Sequence, residues 1–312
     1  MEFLTLSDKE KPMKPKITLV LSGGGARGIA HIGVIEELER RGYEIASVTG
    51  TSMGALVGGV YADGAIAPFK DWMLSLDRRK VFSLVDFTFS KSGLVKGDKV
   101  FNKMKDFIQD TPIEDLRIPF AALAVDLINN KEVLFRKGSL FDAIRASVSI
   151  PSVLTPVKTE DGLLVDGGVL NNIPTNHAPR IKGDLLVAVN VNAKIPVQLP
   201  DISEEEGEKQ KRAYQNKIEE FYSHLKKILP QGSGEKKSQD KEEEEMGYFN
   251  LIDTTISLMT YHLAQISLKE HKPDVLIEVS RDACGTYDFF KAEELVEMGR
   301  EATNKALNLF ES

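Results

Sequence analysis

Gly50-Thr51-Ser52-Met53-Gly54 sets a hydroxyl between two glycines in the pattern G-x-S-x-G. The pentapeptide lies where a short apolar run, Ile45 to Val48, gives way to an Ala/Gly-rich apolar segment, Ala55 to Ala62. A serine on a sharp strand-to-helix corner projects its Oγ out of the sheet, and small flanking residues let the backbone bend there. The N-terminus of the following helix favours negative charge at the same point. That combination suits a nucleophile that attacks a carbonyl and must then stabilise an oxyanion. Ser52 is therefore the candidate nucleophile, with Gly50 and Gly54 as its supports.

A second glycine cluster precedes it. Gly23-Gly24-Gly25-Ala26-Arg27-Gly28 follows the apolar run Ile17 to Leu21 and leads into a helix pattern carrying Ile32, Ile35 and Leu38. It spells G-x-G-x-x-G, which invites a dinucleotide-binding reading. That reading wants an acidic residue at the C-terminal end of the second strand, whereas Glu44 stands before Ile45. The underlying physics is independent of the ligand: successive backbone N–H groups at a helix N-terminus stabilise a phosphate or a transient oxyanion. Arg27 can add a positive pole or pair with a carboxylate.

A serine hydroxyl also needs a proton acceptor. Val165-Asp166-Gly167-Gly168 ends a short apolar run with a carboxylate and two glycines that permit close backbone approach. Asp-Gly alone is an ordinary turn, as at Asp161-Gly162. A triad would need one of the five histidines, and Ser52, Asp166, His177 follow the Ser–Asp–His order of α/β-hydrolases. His177 lies in Asn171-Asn172-Ile173-Pro174-Thr175-Asn176-His177, a segment that reads as the start of a surface helix, and His31 sits one turn into the first helix. Three readings stay open on the residues alone: Asp166 acting directly, Asp166 acting through His177, or a non-catalytic binder of nucleotide or anionic lipid at the glycine loop.

The elements that must position these groups alternate. Strand, glycine loop, helix, strand, sharp turn and helix follow one another to Ala62, which implies a parallel sheet covered on both faces. Later strands are expected at Phe120 to Val125, Val133 to Phe135, Leu163 to Val165, Leu185 to Val191 and Val275 to Val279. Helices are expected from Asp98 to about Gln109, over Asp142 to Ser147, and from Ala292 to Leu309. Phe249, Ile252, Ile256, Met259, Leu263 and Ile266, spaced three and four apart, predict a long helix with its apolar stripe in the core. Residues 201–247 carry 13 acidic and 9 basic side chains and end in a Gly/Ser/Lys/Glu-rich stretch. Such composition marks a solvated insertion within one domain spanning 16–312, behind a tail at 1–15. Inside the insertion, Ile218 to Leu229 is amphipathic.

The 312 residues include 40 Lys+Arg against 47 Asp+Glu, a net charge of −7, which argues against sequence-independent nucleic-acid binding. One cysteine excludes an intramolecular disulfide and a multi-Cys metal site, and no His/Cys cluster or EF-hand loop suggests a metal or other cofactor. The first 16 residues lack the apolar core of a signal peptide, and no stretch approaches a bilayer span. The expectation is a cytoplasmic protein, with peripheral membrane contact left open and oligomeric state undetermined.

Taken in order, Gly23 to Gly28, Gly50 to Gly54, Ala146-Ser147-Val148-Ser149-Ile150-Pro151 (an A-S-x-x-x-P segment) and Asp166 to Gly168 make the chain resemble the patatin-like phospholipases. The resemblance covers roughly Ile17 to Val191, and the terminal strand and helix also fit it. It implies a three-layer α/β/α fold with a mainly parallel central sheet and a Ser–Asp dyad without catalytic histidine. It assigns the nucleophile to Ser52, the proton acceptor to Asp166 with Gly167 and Gly168 beside it, and the oxyanion hole to Gly23, Gly24, Gly25, Arg27 and Gly28. The implied substrate is a lipid or other acyl ester. The 201–247 insertion departs from the pattern.

Overall fold

The computed structural model describes residues 15–84, 97–151, 153–197 and 248–312. The expected N-terminal tail (but for Pro15) and the 201–247 insertion with its amphipathic stretch lie outside them. In order come β1 (Ile17–Leu21), α1 (Ala30–Arg40), β2 (Ile45–Thr51), α2 (Met53–Asp63), α3 (Ile66–Leu74), α4 (Arg78–Leu84) and α5 (Asp98–Met104). Then follow β3 (Phe120–Asp126), β4 (Lys131–Phe135), α6 (Leu140–Ser147), β5 (Val157–Lys158), β6 (Leu163–Asp166), β7 (Leu185–Ala193), α7 (Tyr248–Glu270), β8 (Val275–Ser280) and α8 (Ala292–Glu311). The chain parts into two units, residues 1–198 with 255–312 and residues 199–254; the strands all belong to the first.

The sheet is α/β and mostly parallel. Hydrogen-bonded neighbours run β5-β6-β3-β2-β1-β7-β8, with β4 also paired to β3. The pairs β1–β2, β1–β7, β2–β3 and β7–β8 are parallel, and those among β3, β4, β5 and β6 are antiparallel. Both faces are covered, because the strand side chains alternate between two apolar layers. Ile17, Leu19, Leu21, Val187, Val189 and Ile277 pack into the larger core with α1, α2 and α8. Val20, Leu186 and Ala188 face the other way, against Ala264 and Leu268 of α7.

One register decides where the chemistry sits. Residues 122–126 of β3 pair with β4 along one edge. The opposite edge is shared end to end: its first half pairs with β2, closing on Thr51 opposite Leu123, and its second half pairs with β6, starting at Asp166 opposite Ala124. Since Leu123 and Ala124 are consecutive, about 3.3 Å apart along the strand, the C-terminal ends of β2 and β6 meet head to head.

Two helices differ from expectation. α5 ends at Met104 rather than near Gln109. In α7 part of the apolar stripe turns outward: Met259 and Ile266 are 58% and 52% exposed, Ile256 and Leu263 are half-buried, and Ala264 is buried. The face that packs also bears hydroxyls: Thr260 donates to the Gly168 carbonyl at 3.2 Å and Ser267 to the Ile173 carbonyl at 2.9 Å. The inward side thus combines these hydroxyl contacts with the apolar packing of Ala264 and Leu268.

α1 and α8 pack backbone to backbone. A Cβ on Gly33 would overlap the Val296 carbonyl, and one on Gly299 would overlap that of Ala30. Neither neighbour can yield without shifting a helix. Gly33→Ala is expected to cost roughly 2–3 kcal/mol, read as a lower urea midpoint at unchanged slope.

Candidate active site

Ser52 occupies the turn between β2 and α2 with φ 54° and ψ −125°. Apart from Asn130 it is the only non-glycine at positive φ among the described residues. Such backbone costs of order 1–3 kcal/mol and persists only where the surroundings over-determine it. They do so here. A Cβ on Gly50 would overlap the Gly54 carbonyl, and one on Gly54 would overlap the carbonyl of Leu21. The Ser52 carbonyl accepts from Leu56 N–H at 3.0 Å, and its own N–H is donated to Ser147 Oγ at 2.9 Å. Ser52 is buried, 5% exposed, at the N-terminus of α2.

Asp166 ends β6, also 5% exposed. Its N–H is donated to the Ser149 carbonyl at 2.9 Å, and its Oδ1 accepts from Gly168 N–H at 2.7 Å. Gly167 and Gly168 make that turn: a Cβ on Gly167 would overlap the Leu123 carbonyl, and one on Gly168 would sit 3.0 Å from Oδ1. The other carboxylate oxygen, Oδ2, is buried without a hydrogen-bond partner. Burial pushes the carboxyl from 3.8 up to about 6, against the opposing effects of the nearby Ser52 hydroxyl and the Gly168 N–H. Ser52 thus lies near enough to favour the carboxylate, but without hydrogen-bond geometry, so Oδ2 keeps a free lone pair. An uncompensated buried oxygen beside a hydroxyl is costly to stability and suited to taking a proton.

The glycine loop packs on the same point. A Cβ on Gly23 would lie 2.9 Å from Ser52 Cβ, and one on Gly28 would overlap the Met53 side chain. Gly23 donates its N–H to the Asn172 carbonyl at 3.1 Å, while its own carbonyl accepts from Asn192 Nδ2 at 2.6 Å. Ala26 N–H goes to the Thr286 carbonyl at 2.9 Å. Between these two anchors, Gly25 takes φ 56° and begins a 3-10 turn, Gly25–Ile29, so the N–H groups of Gly24 and Gly25 are left for a ligand. Arg27 Nη1 donates to the Arg281 carbonyl at 2.9 Å, tying the loop to the end of β8.

Both histidines singled out by the sequence have other partners. His177 sits in a 3-10 turn, Thr175–His177, rather than at a helix start, and its Nε2 bonds the Glu132 carboxylate on β4. β4 runs along the β3 edge away from Ser52 and Asp166. His31 is fully buried; burial lowers its pKa to about 4, so the ring is neutral and Nε2–H donates to the Ser22 carbonyl at 2.8 Å. It braces the residue before the glycine loop. Asn172 and Asn192, which hold Gly23, carried no signal in the sequence beyond being polar residues beside buried apolar ones. Among the described residues no cluster of three His, Cys, Asp or Glu gathers to hold a metal, and no helix is long and apolar enough to cross a membrane.

The family model described as patatin-like phospholipase matches residues 19–179, which contain every residue of this constellation except Asn192 and the loop's anchors at Arg281 and Thr286. An uncharacterized NTE family protein of Mycobacterium tuberculosis is 32% identical over 333 aligned positions, covering 95% of this chain and 92% of that one. Patatin-like phospholipase domain-containing protein 6 of Mus musculus is 32% identical over 185 positions, 57% of this chain but only 14% of that much longer one. Among solved structures, VipD from Legionella pneumophila aligns with a TM-score of 0.47 at 15% identity, over 96% of this chain and 67% of that one. On the family match and the near full-length relative, the chain belongs to the patatin-like phospholipase family.

Proposed function

We propose that the protein hydrolyses acyl esters of lipids through a Ser52–Asp166 dyad. One observation carries the reading: a strained, buried serine and a buried carboxylate with an unpartnered oxygen meet at a strand junction, under a glycine loop with two uncommitted N–H groups. Ser52 Oγ attacks the acyl carbonyl carbon as its proton passes to Asp166. The N–H groups of Gly24 and Gly25 receive the developing oxyanion, each such donor being worth about 3–4 kcal/mol in hydrolases. Collapse of the tetrahedral adduct expels the alcohol, which takes the proton from Asp166 and leaves an acyl-serine. Water then attacks the acyl carbon, Asp166 takes a proton from it, and that proton returns to Ser52 as the free acid departs.

A carboxylate with an ordinary pKa is a weak base for a hydroxyl. Exclusion of water raises the basicity of Asp166, so part of its burial cost lowers the barrier. Peripheral contact with a lipid surface belongs to the same proposal, since the substrate resides there.

The experiment is release of free fatty acid from phosphatidylcholine vesicles and from a short-chain nitrophenyl ester, alongside labelling by a fluorophosphonate. Activity with label on Ser52 supports the reading. Folded protein that neither turns over nor labels would make it a binder instead. His177→Ala is expected to keep nitrophenyl ester activity within about threefold, because its ring serves Glu132. A loss as deep as that of Ser52→Ala would restore the triad.

A further inference from the structure

Ser52 has turned out of the sheet after Thr51, so the β2–β3 ladder should leave an orphaned N–H on one side and an orphaned carbonyl on the other. Neither is orphaned. Ser147 Oγ, fully buried at the end of α6, accepts from Ser52 N–H at 2.9 Å and donates its own proton to the Leu123 carbonyl at 2.6 Å. One hydroxyl thus replaces the missing rung, at the β3 residue that faces Thr51 and precedes the partner of Asp166. Two residues on, the Ser149 carbonyl accepts Asp166 N–H at 2.9 Å. The stretch between is itself pinned, since Arg145 donates to Ser149 Oγ at 2.6 Å and to the Thr155 carbonyl at 2.9 Å. Ser147 and Ser149, on either side of Val148, therefore hold the main chain of both members of the proposed dyad.

We propose that Ser147 is a positioning residue for the hydrolytic step: its hydroxyl bridge between Ser52 N–H and the Leu123 carbonyl sets the direction of Ser52 Oγ relative to Asp166. The inference rests on the Ser52–Asp166 reading. Apolar residues could fill the same volume and cover the same core. Only a group that accepts and donates at once can satisfy both backbone atoms, and a hydroxyl does so with one atom. Without it the strained turn relaxes, and small misplacement of a nucleophile costs as much as ~100-fold in rate.

The test separates aim from stability. The rate constant of fluorophosphonate labelling reports the reactivity of Ser52, and the labelled fraction at the end point reports how many molecules are folded. Ser147→Ala is expected to label to the same end point about 10- to 100-fold more slowly, with kcat on a nitrophenyl ester falling in parallel and KM within about twofold. Unchanged labelling rate with a lower melting temperature would make Ser147 structural only and overturn the proposal. The isosteric pair Ser147→Thr and Ser147→Val decides the matter should Ser147→Ala not fold. Both add similar bulk, but only threonine keeps the hydroxyl, so it should label at least ~10-fold faster than valine; equal rates refute the bridge. Absence of label on the wild-type protein would instead remove the Ser52–Asp166 reading itself.

Discussion

Ser52→Ala is expected to lower kcat on both vesicle and nitrophenyl ester substrates by at least ~10⁴-fold, with no remaining site for the fluorophosphonate. The size follows from the proposed role: without Oγ the proposed dyad has no group to attack the ester. Stability discriminates further. Alanine still carries a Cβ, so Ser52→Ala keeps the turn at φ 54° and its strain. Glycine is at ease there, and Ser52→Gly should melt later than Ser52→Ala by an amount worth about 1 kcal/mol. Calorimetry on the two variants checks this. Residual turnover in Ser52→Ala above about 1% of wild type would move the nucleophile elsewhere.

Asp166→Asn is expected to lose activity by at least ~10³-fold and to gain stability at the same time. The sign follows from the direction of the pKa. Asp166 is raised from 3.8 to about 6 by burial, so between those values the folded protein binds a proton that the unfolded chain has released. Wild-type stability therefore falls as pH rises through that window, and above about 6 the full cost of the buried charge is present. At about 1.4 kcal/mol per pH unit, the gap is worth about 3 kcal/mol. Asparagine keeps an oxygen for Gly168 N–H and carries no charge. Its advantage should approach about 3 kcal/mol at about pH 8 and vanish near about pH 4, as seen in urea midpoints across pH. Under the proposed mechanism the same titration governs catalysis: kcat/KM on a soluble ester is expected to rise through pH about 6 and level above it, because only the ionised carboxyl accepts the proton. A profile flat from about pH 5 to about pH 8 would take Asp166 out of the proton transfer.

Both predictions concern groups of unequal legibility. Ser52 was readable because its signal is local. Five residues define the corner, apolar runs on either side define strand and helix, and the glycines are needed for contacts with their own turn and with Leu21. Asp166 was not readable in that way. Asp161-Gly162 and Asp166-Gly167 are the same dipeptide, and nothing within either says which one meets the serine. The difference is the register of β3, which sets Thr51 opposite Leu123 and Asp166 opposite Ala124. His177 met the order of a triad, yet its ring is taken by Glu132, 45 residues upstream. Apolar spacing in α7 predicted an inward stripe, yet its Met259 and Ile266 are exposed while Thr260 and Ser267 bond the body.

By itself, then, the amino-acid sequence determined the mixed α/β alternation, the serine corner proposed as nucleophile, the glycine loop proposed to stabilise an anion, and the family resemblance. Each of these depends on interactions within a few residues or on hydrophobic period. Tertiary structure alone decided which carboxylate faces the serine and how far burial raises its pKa. It also decided which glycine N–H groups remain uncommitted and that Ser147 completes the broken ladder. Those properties arise from hydrogen bonds and desolvation between segments tens to more than a hundred residues apart. No local pattern encodes them, because such partners meet only when the sheet has closed in one register.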